Sequence, residues 1–95
     1  MSKARVLIAE DHKIVVEGLK KLLDSEFEIA GTVENGLDLV KAADTLHPDV
    51  IVADISMPGL SGIEARNQIR KTHKGMKVVF LTMHPDVAYA ASAFE

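Results

Sequence analysis

Four short apolar runs recur along the chain at similar intervals, and this alternation limits the folds that the chain can adopt. The runs are RVLIAE at 5–10, FEIAGTV at 27–33, DVIVAD at 49–54 and MKVVFLT at 76–82. The first, third and fourth are continuously apolar, which is typical of parallel strands covered on both faces. The second contains the polar Glu28 and is typical of an edge strand. Right-handed crossovers therefore favour an α/β fold with a doubly wound parallel sheet of strand order 2-1-3-4.

The intervals between the runs predict helices. The apolar positions in the first three intervals are Ile14, Gly18, Leu19 and Leu22; Leu39, Ala42, Ala43 and Leu46; and Ile63, Ala65 and Ile69. Asn35 with Asp38, and Ser61 with Glu64, fit the capping box that begins a helix. Pro85 is suited to the first position of a fourth helix.

Size and composition exclude several classes of protein. A chain of 95 residues forms one domain, and the absence of cysteine excludes disulfides, thiolate metal sites and cysteine nucleophiles. The net charge of −3, with dispersed basic residues, lacks the footprint of a nucleic-acid-binding surface. No apolar run approaches the ~20 residues that span a bilayer, and the start lacks a signal peptide, so we expect a cytoplasmic protein with no membrane partner. The four histidines show no metal-ligand spacing and are interpreted as surface residues.

Acidic residues end two of the predicted strands. Glu10 and Asp11 end the first and Asp54 ends the third, with Thr82 at the end of the fourth. An aspartate after a strand is usually a cap or turn residue, and an acidic pair usually begins a helix. In a doubly wound sheet, however, the first and third strands flank the crevice that binds ligands. Carboxylates within ~4–6 Å of one another repel, so they must either raise their pKa values or bind a cation, and Mg²⁺ prefers oxygen ligands.

Missing motifs restrict the chemistry of this crevice. The chain has neither a G-x-x-x-x-G-K-[ST] loop nor a glycine-rich fingerprint after the first strand. No Ser-His-Asp arrangement lies at the strand ends. An aspartate nucleophile acting on a phosphoryl group remains, with a metal ion that neutralises the developing charge. Asp54 is the candidate nucleophile.

Three segments, VLIAEDH, PDVIVADISMPGLSGIEA and KVVFLTMH, resemble the receiver domain of bacterial two-component response regulators. The tail LTMHPDVAYAASAFE is similar to the NarL/FixJ-like branch, whose LuxR-type members carry a C-terminal helix-turn-helix domain. The resemblance implies a flavodoxin-like receiver fold over 1–95 and a phospho-switch, not a turnover enzyme. It also implies that DNA is contacted only through a further C-terminal domain.

The resemblance also implies roles for individual residues. Asp54 would be the phosphoacceptor, charged by a sensor histidine kinase. Asp11 would bind Mg²⁺ directly, Glu10 would act mainly through a water, and the backbone carbonyl of Ser56 would complete the metal ligands. Thr82 would hydrogen-bond a phosphoryl oxygen and act as the switch. The positions expected to modulate phosphate lifetime or access are Ser56, Met57, Met83 and His84.

The chain departs from the family pattern at its C-terminus. A receiver has a fifth strand and a fifth helix, and the chain ends at Glu95 before either. We therefore expect a C-terminally incomplete receiver that lacks the family's invariant lysine, one cationic contact to the transferred group. The fourth strand becomes an apolar edge, which predicts self-association.

Three alternatives remain open from the sequence. One is a stand-alone receiver without DNA-binding output. Another is a phosphatase of the haloacid-dehalogenase type, although Ser56 occupies the position where those enzymes place a second aspartate. The last is a pseudo-receiver that binds a partner without phosphate.

Overall fold

The computed structural model describes residues 3–55 and 60–81. Strands and helices alternate along this part of the chain, as the apolar runs predict. In chain order the elements are β1 (Ala4–Ala9), α1 (Lys13–Leu23), β2 (Phe27–Val33), α2 (Gly36–Leu46), β3 (Val50–Asp54), α3 (Gly62–Thr72) and β4 (Lys77–Leu81). The helix expected at Pro85 lies outside the described residues.

The four strands form one parallel sheet with the order β2-β1-β3-β4. This confirms the predicted doubly wound topology, with β2 at one edge. Among the described strands β4 forms the other edge. The winding reverses between β1 and β3, where Ala9 is paired with Ala53, so the residues that follow these two strands emerge side by side.

The buried core lies between the sheet and the helices α2 and α3. Its buried members are Leu7, Ala9, Leu39, Ala43, Ile51, Ala53, Ala65, Ile69, Val78 and Phe80. The predicted faces of α2 and α3 supply four of them, while Ile63 is exposed. Successive strand residues point to opposite faces, and the alternate residues Val50, Val52, Val79 and Leu81 are only partly buried. Within the described part of the chain, this second face of β3 and β4 is thus less completely covered than their continuously apolar runs predict.

Helix α1 is also less buried than its apolar pattern suggests. None of its residues is fully buried, and Ile14 and Leu22 are 87% and 76% exposed. The helix lies against the edge strand β2. Periodicity identifies a face that can be buried, but the partner that covers it is set by the tertiary structure.

Side-chain caps fix where α2 and α3 begin. The Asn35 side chain accepts a hydrogen bond from the Asp38 N–H at 2.8 Å, and the Ser61 hydroxyl accepts one from the Glu64 N–H at 3.2 Å. Both capping predictions are confirmed. The loops that these caps terminate follow β2 and β3, so the caps fix the helix starts at the same end of the sheet as the acidic residues.

The opposite end of the sheet is tied together by Arg5. Its N–H donates to Asp49 Oδ2 at 2.7 Å, and the Asp49 N–H donates to the Arg5 carbonyl at 2.8 Å. The guanidinium donates to the Leu46 carbonyl and pairs with Glu28 at 3.2 Å. These bonds join β1 to β2, to the start of β3 and to the end of α2. They help to set the register of β1 against β3, and this register determines how the carboxyl ends of the two strands are aligned.

Backbone hydrogen bonds continue beyond the strand ends near the acidic residues. The Glu10 N–H donates to the Val33 carbonyl at 2.9 Å, and the Ile55 N–H donates to the Leu81 carbonyl at 3.1 Å. The Gly62 N–H then donates to the Ile55 carbonyl, also at 3.1 Å.

None of the described helices has the length and hydropathy needed to cross a membrane.

Candidate functional site

Three carboxylates from distant parts of the sequence meet at the carboxyl end of the sheet. Glu10 and Asp11 follow β1, and Asp54 is the last residue of the adjacent strand β3. One ligand atom from each of these residues, together with one from His12, forms a group in which all atoms lie within 4.8 Å of one another. The predicted convergence of these three carboxylates, at the place where the winding of the sheet reverses, is confirmed.

Two of these carboxylates are almost fully buried. Glu10 is 2% exposed and Asp54 is 4% exposed, whereas the Asp11 side chain is 31% exposed. A buried carboxylate is costly unless it is paired or coordinates a cation. The two buried residues belong to the ends of central strands, so their backbones are fixed by the sheet and their charges cannot move apart easily.

His12 is the residue that the sequence interpretation missed. Its Nδ1 lies 2.6 Å from Glu10 Oε1 and 3.1 Å from Asp11 Oδ1, and its backbone N–H donates to Glu10 Oε1 at 3.0 Å. The side chain is 56% exposed, as expected of a surface histidine, but one ring nitrogen points into the carboxylates. The available signal was its position directly after the acidic pair, at the N-cap of α1.

The carboxylates raise the pKa of His12 above the ordinary histidine value of 6.5. The largest cause is the hydrogen bond to Glu10, followed by the negative charge of Asp11, with a further contribution from Asp54. A raised pKa in the folded chain means that protonated His12 stabilises the fold below the unfolded pKa. This contribution is lost as the pH rises through the folded pKa.

We expect ¹H–¹⁵N NMR titration to give His12 a pKa above 6.5, with Glu10→Gln lowering it more than Asp54→Asn. The stability difference between the wild type and His12→Gln, measured by urea unfolding, should be larger at about pH 6 than at about pH 9. Glu64→Gln is a suitable control, because it removes a negative charge from the exposed first turn of α3. The prediction would be contradicted by an unshifted His12 pKa, or by a Glu64→Gln variant that lowers this pKa as much as Glu10→Gln does.

The three carboxylates of the group suit a hard divalent cation. Asp11 Oδ1 is shielded from solvent and accepts no hydrogen bond from any described residue, although His12 Nδ1 lies 3.1 Å away, so this oxygen can serve as a ligand beside Glu10 and Asp54. Carboxylate oxygens are the ligands that Mg²⁺ prefers. Within residues 3–55 and 60–81 this is the only cluster of three or more such side chains close enough to share an ion.

Five further predicted site residues lie outside the described part of the chain. They are Ser56, Met57, Thr82, Met83 and His84. Their assigned roles stay predictions. The described neighbours of these residues, Ile55 and Leu81, are joined by a backbone hydrogen bond, so the ends of β3 and β4 lie together as the predicted site requires.

Comparison with known proteins shows that the chain is similar to response regulator receiver domains. The family model described as response regulator receiver domain matches residues 6–95. The transcriptional regulatory protein YdfI of Bacillus subtilis (strain 168) is 42% identical over 84 residues, which cover 86% of this chain and 39% of that protein. The chain thus spans about two fifths of the length of the curated relatives that it matches.

Solved structures show the same likeness. A LuxR-family two-component response regulator from Aurantimonas sp. SI85-9A1 superposes with a TM-score of 0.85 at 30% identity, covering 98% of this chain and 68% of that one. The CheX–CheY–BeF3–Mg²⁺ complex from Borrelia burgdorferi superposes with a TM-score of 0.83 at 26% identity, covering 87% and 64%.

Proposed function

Because the chain belongs to the response regulator receiver domain family, we propose that Asp54 is its phosphoacceptor and that a sensor histidine kinase is the donor. One observation carries the proposal: Asp54 lies buried at the end of a central strand with the carboxylates of Glu10 and Asp11 within 4.8 Å. In this position the sheet holds the backbone of Asp54 rigidly, and the neighbouring carboxylates provide a site for the cation that phosphoryl transfer needs.

The reaction is a displacement at phosphorus. A carboxylate oxygen of Asp54 attacks the phosphoryl group of a phosphohistidine, the P–N bond breaks, and an acyl phosphate forms. The leaving imidazole of the kinase takes up a proton. Since the attacking group and the transferred group are both anionic, the local negative charge must be offset for the two to approach.

We assign the metal site to the same residues. Asp11 and Asp54 would bind Mg²⁺ directly, Glu10 would act mainly through a water, and the carbonyl of Ser56 would contribute a further ligand. The ion supplies electrostatic stabilisation of the transferred phosphoryl group. The buried Asp11 Oδ1, which accepts no hydrogen bond from a described residue, supports this assignment, as does the structural likeness to the Borrelia burgdorferi complex with BeF3 and Mg²⁺.

The output of the switch is proposed from the relatives. YdfI is a transcriptional regulatory protein and the Aurantimonas protein belongs to the LuxR family, so we propose that this receiver controls a DNA-binding regulator. The stand-alone receiver is the second candidate for output.

The phosphatase alternative is not retained, because the receiver model matches residues 6–95. Self-association through β4 is a further proposal, supported by its position at the edge of the described sheet.

Incubation with acetyl phosphate and Mg²⁺ tests the phosphoacceptor role. We expect intact-mass spectrometry to detect one phosphoryl group per chain, and borohydride reduction followed by peptide mapping to locate it at Asp54. Uptake of phosphate in the absence of Mg²⁺ should be much lower, because the ion offsets the local negative charge. Failure to take up phosphate, or uptake at another residue, would reject the proposal.

A further inference from the structure

We propose, on the basis of the metal site proposed above, that His12 supplies a nitrogen ligand to this site and makes it select borderline divalent ions such as Zn²⁺ over Mg²⁺. The observation is geometric. His12 Nδ1 belongs to the same group of ligand atoms as the carboxylate oxygens of Glu10, Asp11 and Asp54, all within 4.8 Å of one another.

The two contacts that His12 makes with Glu10 and Asp11 are compatible with a zinc site. Bonds of about 2.0–2.1 Å in tetrahedral geometry place neighbouring ligand atoms about 3.3 Å apart. His12 Nδ1 lies 3.1 Å from Asp11 Oδ1, close to this separation. The 2.6 Å contact with Glu10 Oε1 would have to lengthen by less than about 1 Å for an ion to be bound by both atoms.

The burial of the residues favours this adjustment. Glu10 and Asp54 are fixed and almost fully buried, whereas the His12 side chain is 56% exposed and makes no capping hydrogen bond to α1. The imidazole can therefore move to fit an ion while the two carboxylates keep their positions. The described residues also contribute one nitrogen and three carboxylates to the group, enough donors for a four-coordinate ion.

The ligand chemistry predicts the direction of selectivity. Mg²⁺ takes oxygen ligands and keeps several waters, so an imidazole adds little to its binding. Neutral imidazole is a good ligand for Zn²⁺, whereas carboxylate, carbonyl and water oxygens are the ligands that suit Mg²⁺. A carboxylate cluster without His12 would lack this additional preference.

The test is NMR of the histidine side chains with Zn²⁺ or Mg²⁺ added to the chain. We expect Zn²⁺ to shift the Nδ1 resonance of His12 strongly, because the ion is bound by that nitrogen. Mg²⁺ should cause no comparable shift of the same resonance. By calorimetry, His12→Gln should weaken Zn²⁺ binding roughly 10–100-fold, as loss of ligand support does at metal sites. The same variant should change Mg²⁺ affinity by less than about twofold.

Two variants serve as controls. His73→Gln removes a histidine at the far end of α3, where it contacts Asp44 at 3.3 Å, and should leave the His12 shift unchanged. Asp54→Asn should weaken the Zn²⁺-induced shift, because it removes a carboxylate of the same cluster.

The outcomes separate the two proposals. Mg²⁺ and Zn²⁺ binding that depends on Asp54 but leaves His12 Nδ1 unshifted would overturn the role of His12 and retain the metal site. A Zn²⁺ shift of His12 that is unaffected by Asp54→Asn would also overturn it, since the ion would then be bound elsewhere. Absence of Asp54-dependent binding of either ion would overturn both proposals.

Discussion

Replacing Asp54 with asparagine is expected to abolish phosphoryl uptake while the chain remains folded. The amide has the same shape but is a very poor nucleophile toward phosphorus and carries no charge for the metal ion. The substitution also removes one of two almost fully buried carboxylates, which lowers the repulsion with Glu10 and Asp11. We therefore expect loss of phosphorylation without loss of stability, measured by intact mass and by urea unfolding.

Asp49→Asn is the matched control for this prediction. The same chemical change is then made five positions earlier, before β3 begins, where the side chain accepts a hydrogen bond from the Arg5 N–H. An asparagine side-chain oxygen can accept that bond, so phosphoryl uptake should persist. If Asp54→Asn took up phosphate as the wild type does, Asp54 would not be the acceptor. If Asp49→Asn also abolished uptake, the loss in Asp54→Asn would not be specific to that residue.

Gly36→Ala is expected to destabilise the fold by about 1–3 kcal/mol, the usual cost of overpacking a close contact. Gly36 is the buried first residue of α2. An added Cβ would lie 2.7 Å from the carbonyl carbon of Leu60 and closer to its oxygen. Because the obstacle is backbone, rotation of a side chain cannot relieve the clash, and α2 or the segment before α3 has to move.

Gly18→Ala should have the opposite effect. Gly18 lies within α1, and nothing stands within 4 Å of an added Cβ. Alanine has the higher helix propensity by about 1 kcal/mol, so this variant should be more stable than the wild type. Urea unfolding of the two variants and the wild type checks both predictions. Equal midpoints for Gly36→Ala and the wild type would show that the contact with Leu60 does not constrain the fold.

The sequence was sufficient for features that depend on short-range rules. The alternation of apolar runs and helical intervals predicts the element order, and crossover handedness then leaves few strand orders. The starts of α2 and α3 follow from Asn35 and Ser61, because a cap involves residues only three positions apart. The meeting of Glu10 and Asp54 follows from topology alone, since both lie at the carboxyl ends of adjacent parallel strands.

Features that depend on tertiary placement could not be predicted in the same way. The pattern of α1 contains Ile14 and Leu22, yet both are exposed, because periodicity does not say which surface covers a face. His12 was missed for a different reason. Searches for metal ligands look for repeated spacing, whereas this single histidine reaches the cluster through the turn between β1 and α1.

The backbone bonds of Ile55 restrict how a change at Asp54 can spread. The N–H of this residue is held by the last residue of β4, and its carbonyl is held by the first residue of α3. A shift of the peptide that follows the acceptor must either carry both neighbours with it or break hydrogen bonds worth about 0.5–1.5 kcal/mol each. If Asp54 is the phosphoacceptor, as proposed, we expect its modification to displace the end of β4 and the start of α3 together.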